Sequence, residues 1–239
     1  MSNRTHPKSL NIYIFLVSLL IIPMPAVSEQ EIISQHDYSL YKGEILFGKS
    51  SYVLSKINHN YFFEIKSSTD GIFKMKKDER MESSNYIINN NKINPITYVY
   101  SRKKKDKEEE LITNFKRNST AVTIDNGNTK EHSNTKDNLD RLSVQIAFQE
   151  DMKKGIFESE YKVIDKGRSR IYKYKIHSDG VIDTIFGKTN TIVIRRIIEN
   201  NKRSTLTWYA VDHNYIPVKI EQYRKDTLKF TVYLEEIVK

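Results

Sequence analysis

From Tyr38 onward the chain alternates short runs rich in Tyr, Ile, Val, Phe and Thr with Lys, Arg, Glu and Ser. A period of two sends successive side chains to opposite faces of an extended strand, so these runs predict strands with one buried and one solvated face. Tyr52–Ile57, Tyr61–Ile65, Arg170–Ile176, Thr191–Ile197, Thr205–Tyr209 and Leu228–Leu234 are the clearest. Polar pairs and triplets that accept tight turns separate them: Asn58-His59-Asn60, Thr69-Asp70-Gly71, Ser178-Asp179-Gly180, Asp212-His213-Asn214 and Lys225-Asp226. Short turns join antiparallel neighbours, and many strands with polar outer faces must curl to bury their inner ones. The pattern therefore predicts a mainly β fold. It is a curved antiparallel sheet, half-barrel or open barrel-like, around a core or a groove.

One segment departs from the period of two. Leu139–Lys154 holds no Gly, no Pro and few β-branched residues, with Asp137 or Asn138 ahead as a cap and Gly155 behind as a stop. On a helical wheel Leu139, Leu142 and Ile146 gather on one side, while Val144, Phe148 and Met152 lie nearly opposite. A helix apolar on two sides is buried on two sides, so this one is expected to pack into the concavity of the sheet or plug its mouth.

The front end has a different logic. Arg4, His6 and Lys8 precede an apolar run from Ile12 to Ile22, followed by Pro23, Pro25 and Ala26-Val27-Ser28. This is the order of a charged region, an apolar core and a small-residue cleavage site. The run is too short for a membrane helix of about 20 residues. Residues 1–28 are thus expected to be a cleavable secretory signal peptide. Residues 29–239 are expected to form a single β-rich domain, exported to the periplasm with no transmembrane span after cleavage. The chain has no cysteine, which excludes a disulfide framework and a lipid anchor on Cys, so burial alone must hold the fold. The formal net charge is +9, and about +7 once Arg4 and Lys8 are removed. Acidic residues lie among the basic ones throughout, which reads as a solvated cationic surface, and export argues against nucleic acid.

Catalytic and metal-binding signatures are missing: there is no HExxH, GxSxG, phosphate loop or dinucleotide glycine pattern. After residue 28 the histidines are His36, His59, His132, His177 and His213, none paired at metal-ligand spacing. His59, His132, His177 and His213 fall at predicted turns, connectors or strand ends, ordinary places for exposed imidazoles. Lys103–Glu110 is a mixed-charge run that suits a solvated hairpin end, and Asp125–Asn138 reads as a polar connector ahead of the helix. Asp140-Arg141 at the helix start is a candidate polar contact for a ligand. Its local reading is an Asp at the positive helix end beside an Arg that packs or pairs nearby.

Several stretches, in order, resemble the bacterial exported family called domain of unknown function 3108. They are Tyr41–Gly48, Ser84-Asn-Tyr-Ile, Asn94–Tyr98, Leu139-Asp-Arg-Leu-Ser143, Thr184–Gly187, Thr191–Arg195, Thr207–Asp212 and Ile216–Ile220. The chain departs from the family at Thr184-Ile185-Phe186-Gly187, where members have Thr-Pro-Leu-Gly, so the turn there lacks a proline's rigidity. The resemblance implies an exported protein of unassigned activity. In outline its sheet and helix are similar to periplasmic half-barrels that carry acylated ligands, an analogy of fold alone.

The sequence thus points to a non-catalytic periplasmic module, without cofactor, for a hydrophobic or lipid-like envelope ligand. Leu142, Ile146, Phe148, Trp208 and Tyr209 are its candidate contacts, with Asp140 and Arg141 as polar ones. Two other readings are a cell-envelope assembly factor acting through protein contacts, and an enzyme using scattered residues such as Asp140, Arg141, Trp208 and Asp212.

Overall fold

The computed structural model describes residues 29–71, 73, 77–116, 118–199 and 202–239. The expected signal segment, residues 1–28, lies outside them. The first half is a run of hairpins: β1 (Glu31–Lys42), β2 (Ile45–Ile57), β3 (Asn60–Thr69), β4 (Asp78–Asn89), β5 (Lys92–Lys104), β6 (Lys107–Lys116), β7 (Thr120–Asp125) and β8 (Asn128–His132). A short β9 (Leu139–Asp140) leads into helix α1 (Ser143–Lys153). A second run follows: β10 (Ser159–Asp165), β11 (Arg168–Thr184), β12 (Gly187–Ile198), β13 (Arg203–Ala210), β14 (Ile216–Arg224) and β15 (Thr227–Ile237). All strands share one open sheet in the order β8-β7-β6-β5-β4-β3-β2-β1-β15-β14-β13-β12-β11-β10-β9. Two meanders therefore meet where the first strand pairs with the last, antiparallel from His36↔Ile237 to Tyr41↔Thr231. Among the described residues only β9 runs parallel to its partner, β10.

Local chemistry explains the hairpins. Asn90-Asn91, Asn126-Gly127, Lys166-Gly167 and Lys225-Asp226 all have positive φ at both turn residues. That is the backbone whose twist matches the flanking strands of a two-residue hairpin. Gly167 has a further reason: a Cβ there would come within 3.2 Å of the Thr123 methyl on β7. The β10–β11 turn thus touches the opposite half of the sheet. Register shifts at Asp37/Tyr38, Leu40/Tyr41, Asn85/Tyr86, Ile176/Ser178 and Trp208/Tyr209 add the local bends that let the sheet curl so far.

The helix sits in the resulting concavity with two buried faces. Val144, Phe148 and Met152 join a cluster with Val163, Tyr172, Tyr174 and Ile194 from the second meander. Leu142, with Ile146 beside it, joins Phe63, Tyr86, Tyr98 and Leu111 from the first. The two-sided wheel thus corresponds to two halves of one sheet. Among the described residues no helix is long and apolar enough to cross a membrane.

Three local expectations are corrected. The helix begins at Ser143, not Leu139, because Leu139-Asp140 pairs with Val163-Ile164 as β9 and the Asp140 carboxylate turns the chain. Leu139 consequently joins the Val144 side of the core. Ser178-Asp179-Gly180 is no turn but part of β11: the three residues pair with Val193, Ile192 and Thr191 beyond a bulge at His177, and Thr191 Oγ1 donates to the Gly180 carbonyl. The chain reverses at Ile185-Phe186, between the paired Thr184 and Gly187. Part of the Asp125–Asn138 connector forms β8, and its His132 is buried within hydrogen-bonding distance, 3.0 Å, of Thr123 Oγ1.

Candidate functional site

The helix entry stitches the two halves of the sheet together. Asp140 is fully buried, and its carboxylate accepts the Leu142 and Ser143 amides at 2.8 and 2.9 Å and the Ser84 hydroxyl of β4 at 2.6 Å. Burial pushes its carboxyl above the usual carboxylate range, opposed by those same hydrogen bonds. The Arg141 guanidinium spans the concavity, 3.5 Å from Glu82 of β4 and 3.5 Å from Asp165 of β10. Glu82 also accepts the Tyr98 hydroxyl at 2.7 Å. Nearby, the ammonium of Lys166 lies 4.3 Å from the Tyr100 ring, another contact between the halves.

Below this stitch the sheet and helix enclose a cavity of about 580 Å³. Its apolar wall comes from β1, β2, β3, β12, β14 and β15, through Leu40, Phe47, Ile65, Ile194, Ile220 and Phe230, with Leu142 from the helix entry. Phe47 and Phe230 meet edge to face at 6.0 Å. Tyr52 and Tyr209 line it as well. Burial pushes the Tyr52 phenol up to about 12 and raises that of Tyr209 too, so both remain protonated at neutral pH.

The polar lining is strongly basic. Arg80, Arg141, Arg196, Arg203, Arg224 and Lys229 face the cavity, against the carboxylates of Asp78 and Glu82. Asp78 is already committed: Arg102 donates to both its oxygens at 2.8 and 2.7 Å, and Arg80 approaches at 3.4 Å. These donors, Arg102 foremost, hold its carboxyl down at about 2. The register puts much of this charge at one end of the strands: Asp78 and Arg80 begin β4, Arg203 begins β13, Arg224 ends β14, and Lys229 lies near the start of β15. The cavity thus combines an apolar wall with hydroxyl and amide side chains, among them Ser67, Thr205, Thr207 and Gln222, and gathers cations towards one end. A second depression, about 620 Å³, lies across β1 to β5, lined largely by Ser, Lys and Glu, including Lys49, Ser51, Lys66 and Glu79.

Of the residues singled out in the sequence, Leu142, Tyr209 and Arg141 line the cavity. Phe148 does not; it is fully buried, stacked on Tyr174 with ring centroids 4.2 Å apart. Ile146 packs against the Phe63 and Tyr86 cluster. Trp208 alternates with Thr207 and Tyr209 onto the other face, where the Lys219 ammonium lies 4.3 Å from its ring. Asp140 is consumed by the helix entry, and Asp212 lies in the β13–β14 turn, accepting the Asn190 amide at 3.2 Å.

The sequence reading missed Arg80, Glu82 and Arg196. A signal was present: period two puts Arg196 on the same face as Ile192, Ile194 and Ile198, and puts Arg80 and Glu82 on the face of Ser84 and Tyr86. Charged residues on a face that is otherwise inward mark a wet interior. Among the described residues no group of three His, Asp or Glu side chains is placed to hold a metal ion.

The profile of a family described as protein of unknown function (DUF3108) matches residues 37–233. No curated protein matches the chain. Among solved structures, an inferred exported protein with a YmcC-like fold from Bacteroides fragilis is 11% identical, covering 86% of this chain and 95% of its own, with a TM-score of 0.35.

Proposed function

The chain belongs to the DUF3108 family of proteins of unknown function, and because that membership leaves the activity open we propose, from the geometry, a non-catalytic binding module for a hydrophobic or lipid-like ligand of the cell envelope. The observation that carries this reading is the cavity of about 580 Å³ between the helix entry and the concave sheet. Small-molecule sites have volumes of roughly 300–1,000 Å³, walls that are mostly apolar, and a few placed polar groups. The side chains of Leu40, Phe47, Ile65 and Phe230 supply such a wall, and the protonated phenols of Tyr52 and Tyr209 supply hydrogen-bond donors. In this reading residues 1–28 direct export and residues 29–239 act as one periplasmic domain.

Native mass spectrometry with organic extraction, on protein purified from the periplasm of an expressing bacterium, tests it. A stoichiometric acyl or lipid species is the expected result. Ligand-free protein that also fails to take up the neutral apolar dye N-phenyl-1-naphthylamine would overturn the proposal.

A further inference from the structure

Arg196 is placed where an unpaired cation is costly. It projects from β12 into the cavity between Ile194 and Ile198, inward-facing residues that are otherwise apolar. Its Nη2 donates to Thr205 Oγ1 at 3.0 Å, its guanidinium carbon lies 5.2 Å from the Tyr172 ring, and the neutral Tyr174 hydroxyl approaches the same guanidinium, so its hydrogen-bonding neighbours are uncharged. No carboxylate among the described residues forms an ion pair with it, and the like charge of Arg141 acts against it. Arg141, by contrast, has Glu82 and Asp165. A guanidinium cannot escape by deprotonating, and a buried charge is retained where something compensates it.

Resting on the binding-module reading, we infer that the cavity takes a single-chain amphiphile with an anionic head, its tail along the Phe47–Phe230 wall and its head on the Arg196 guanidinium. Charge complementarity selects this occupant. Of the basic side chains lining the cavity, Arg80 has Asp78 and Arg141 has Glu82 and Asp165, whereas Arg196 has no carboxylate partner. The planar fork of an arginine matches both carboxylate and phosphate, and the partners Arg196 has within the protein, Thr205 and Tyr174, are neutral. A neutral lipid would leave the Arg196 charge uncompensated. A cationic one would add to it.

The test is displacement of N-phenyl-1-naphthylamine from ligand-stripped protein by three probes of equal chain length: dodecanoate, dodecyl phosphate and dodecan-1-ol. One or both anions should displace the dye at about tenfold lower concentration than the alcohol. A preference for dodecanoate identifies a free fatty-acid type of head, and a preference for dodecyl phosphate a phospholipid type. In Arg196→Met the anion-to-alcohol ratio should fall to within about twofold. The ratio is read within each protein, so a change in dye affinity cancels, and the wild-type comparison stands even if the variant does not fold. Equal displacement by anions and alcohol in the wild type overturns this inference and leaves the binding module intact. Failure to bind the dye by wild type that was also ligand-free as purified overturns both.

Discussion

Asp140 shows how one side chain can set the path of the chain. Its carboxylate takes three donors at once, two amides at the helix entry and one hydroxyl from the far half of the sheet. Asp140→Ala leaves all three buried donors unmet, and the expected loss is about 3–5 kcal/mol of unfolding free energy. Asp140→Asn keeps the oxygen for the two amides and lets the Ser84 hydroxyl accept instead of donate, so it should cost only about 1–2 kcal/mol. Urea titration of both variants checks the ordering, and equal losses would mean that the negative charge itself, not its acceptor geometry, is what matters. The sequence made half of this readable. An Asp beside the positive end of a helix was expected, and the Asp140 carboxylate takes the Leu142 and Ser143 amides. The cap expected at Asp137 or Asn138 lies too far upstream of a helix that begins at Ser143. Ser84, Glu82 and Asp165 were not foreseeable as partners, because a single chain carries no local mark of which distant strand will lie opposite.

At the scale of the element, the helix divides its labour between its sides. Phe148 is enclosed by Tyr174, Tyr161 and Tyr209, whereas Leu142 borders the cavity. Truncating Phe148 to Ala opens a void that close-packed neighbours cannot fill, at about 3–5 kcal/mol. Leu142→Ala opens a void among its packed neighbours that merges with the existing cavity, so its cost, about 2–3 kcal/mol, should stay below that of the phenylalanine variant. Thermal and urea unfolding of the pair should show the phenylalanine variant as clearly the weaker protein, and the reverse order would place the empty space on the wrong side of the helix. The wheel pattern of Val144, Phe148 and Met152 against Leu142 and Ile146 was legible because helical periodicity is local. The loss of the first turn to β9 was not, since Leu139-Asp140 becomes a strand only when Val163-Ile164 lies alongside. Likewise Ser178-Asp179-Gly180 has the composition of a turn, and only the length of its partner β12 keeps it extended. A helix predicted from composition and turns predicted from dipeptides fail at the same kind of place, where a tertiary partner overrides a local preference.

For the whole molecule, the strand alternation made a curved antiparallel sheet readable, but not the order of its strands. Where the two meanders join, and hence which side chains share the cavity wall, depends on the pairing of β1 with β15. That pairing puts the terminal strands in the middle of the sheet and leaves β8 and β9 at its edges. Hydrogen exchange should follow position in the sheet and not position in the chain: amides along the β1–β15 seam should exchange at least about tenfold more slowly than those of β8. A seam that exchanges as fast as β8 would mean that the two meanders separate as independent units. The same seam has a bearing on how the molecule is made. Translation delivers β1 at the start and β15 at the end, so one edge of β1 has no native neighbour until the rest of the domain has emerged. Closing so distant a contact makes the final step a slow one. A polypeptide cut short before Thr227 would present the bare edges of both β1 and β14, each a template for pairing with another unfinished chain.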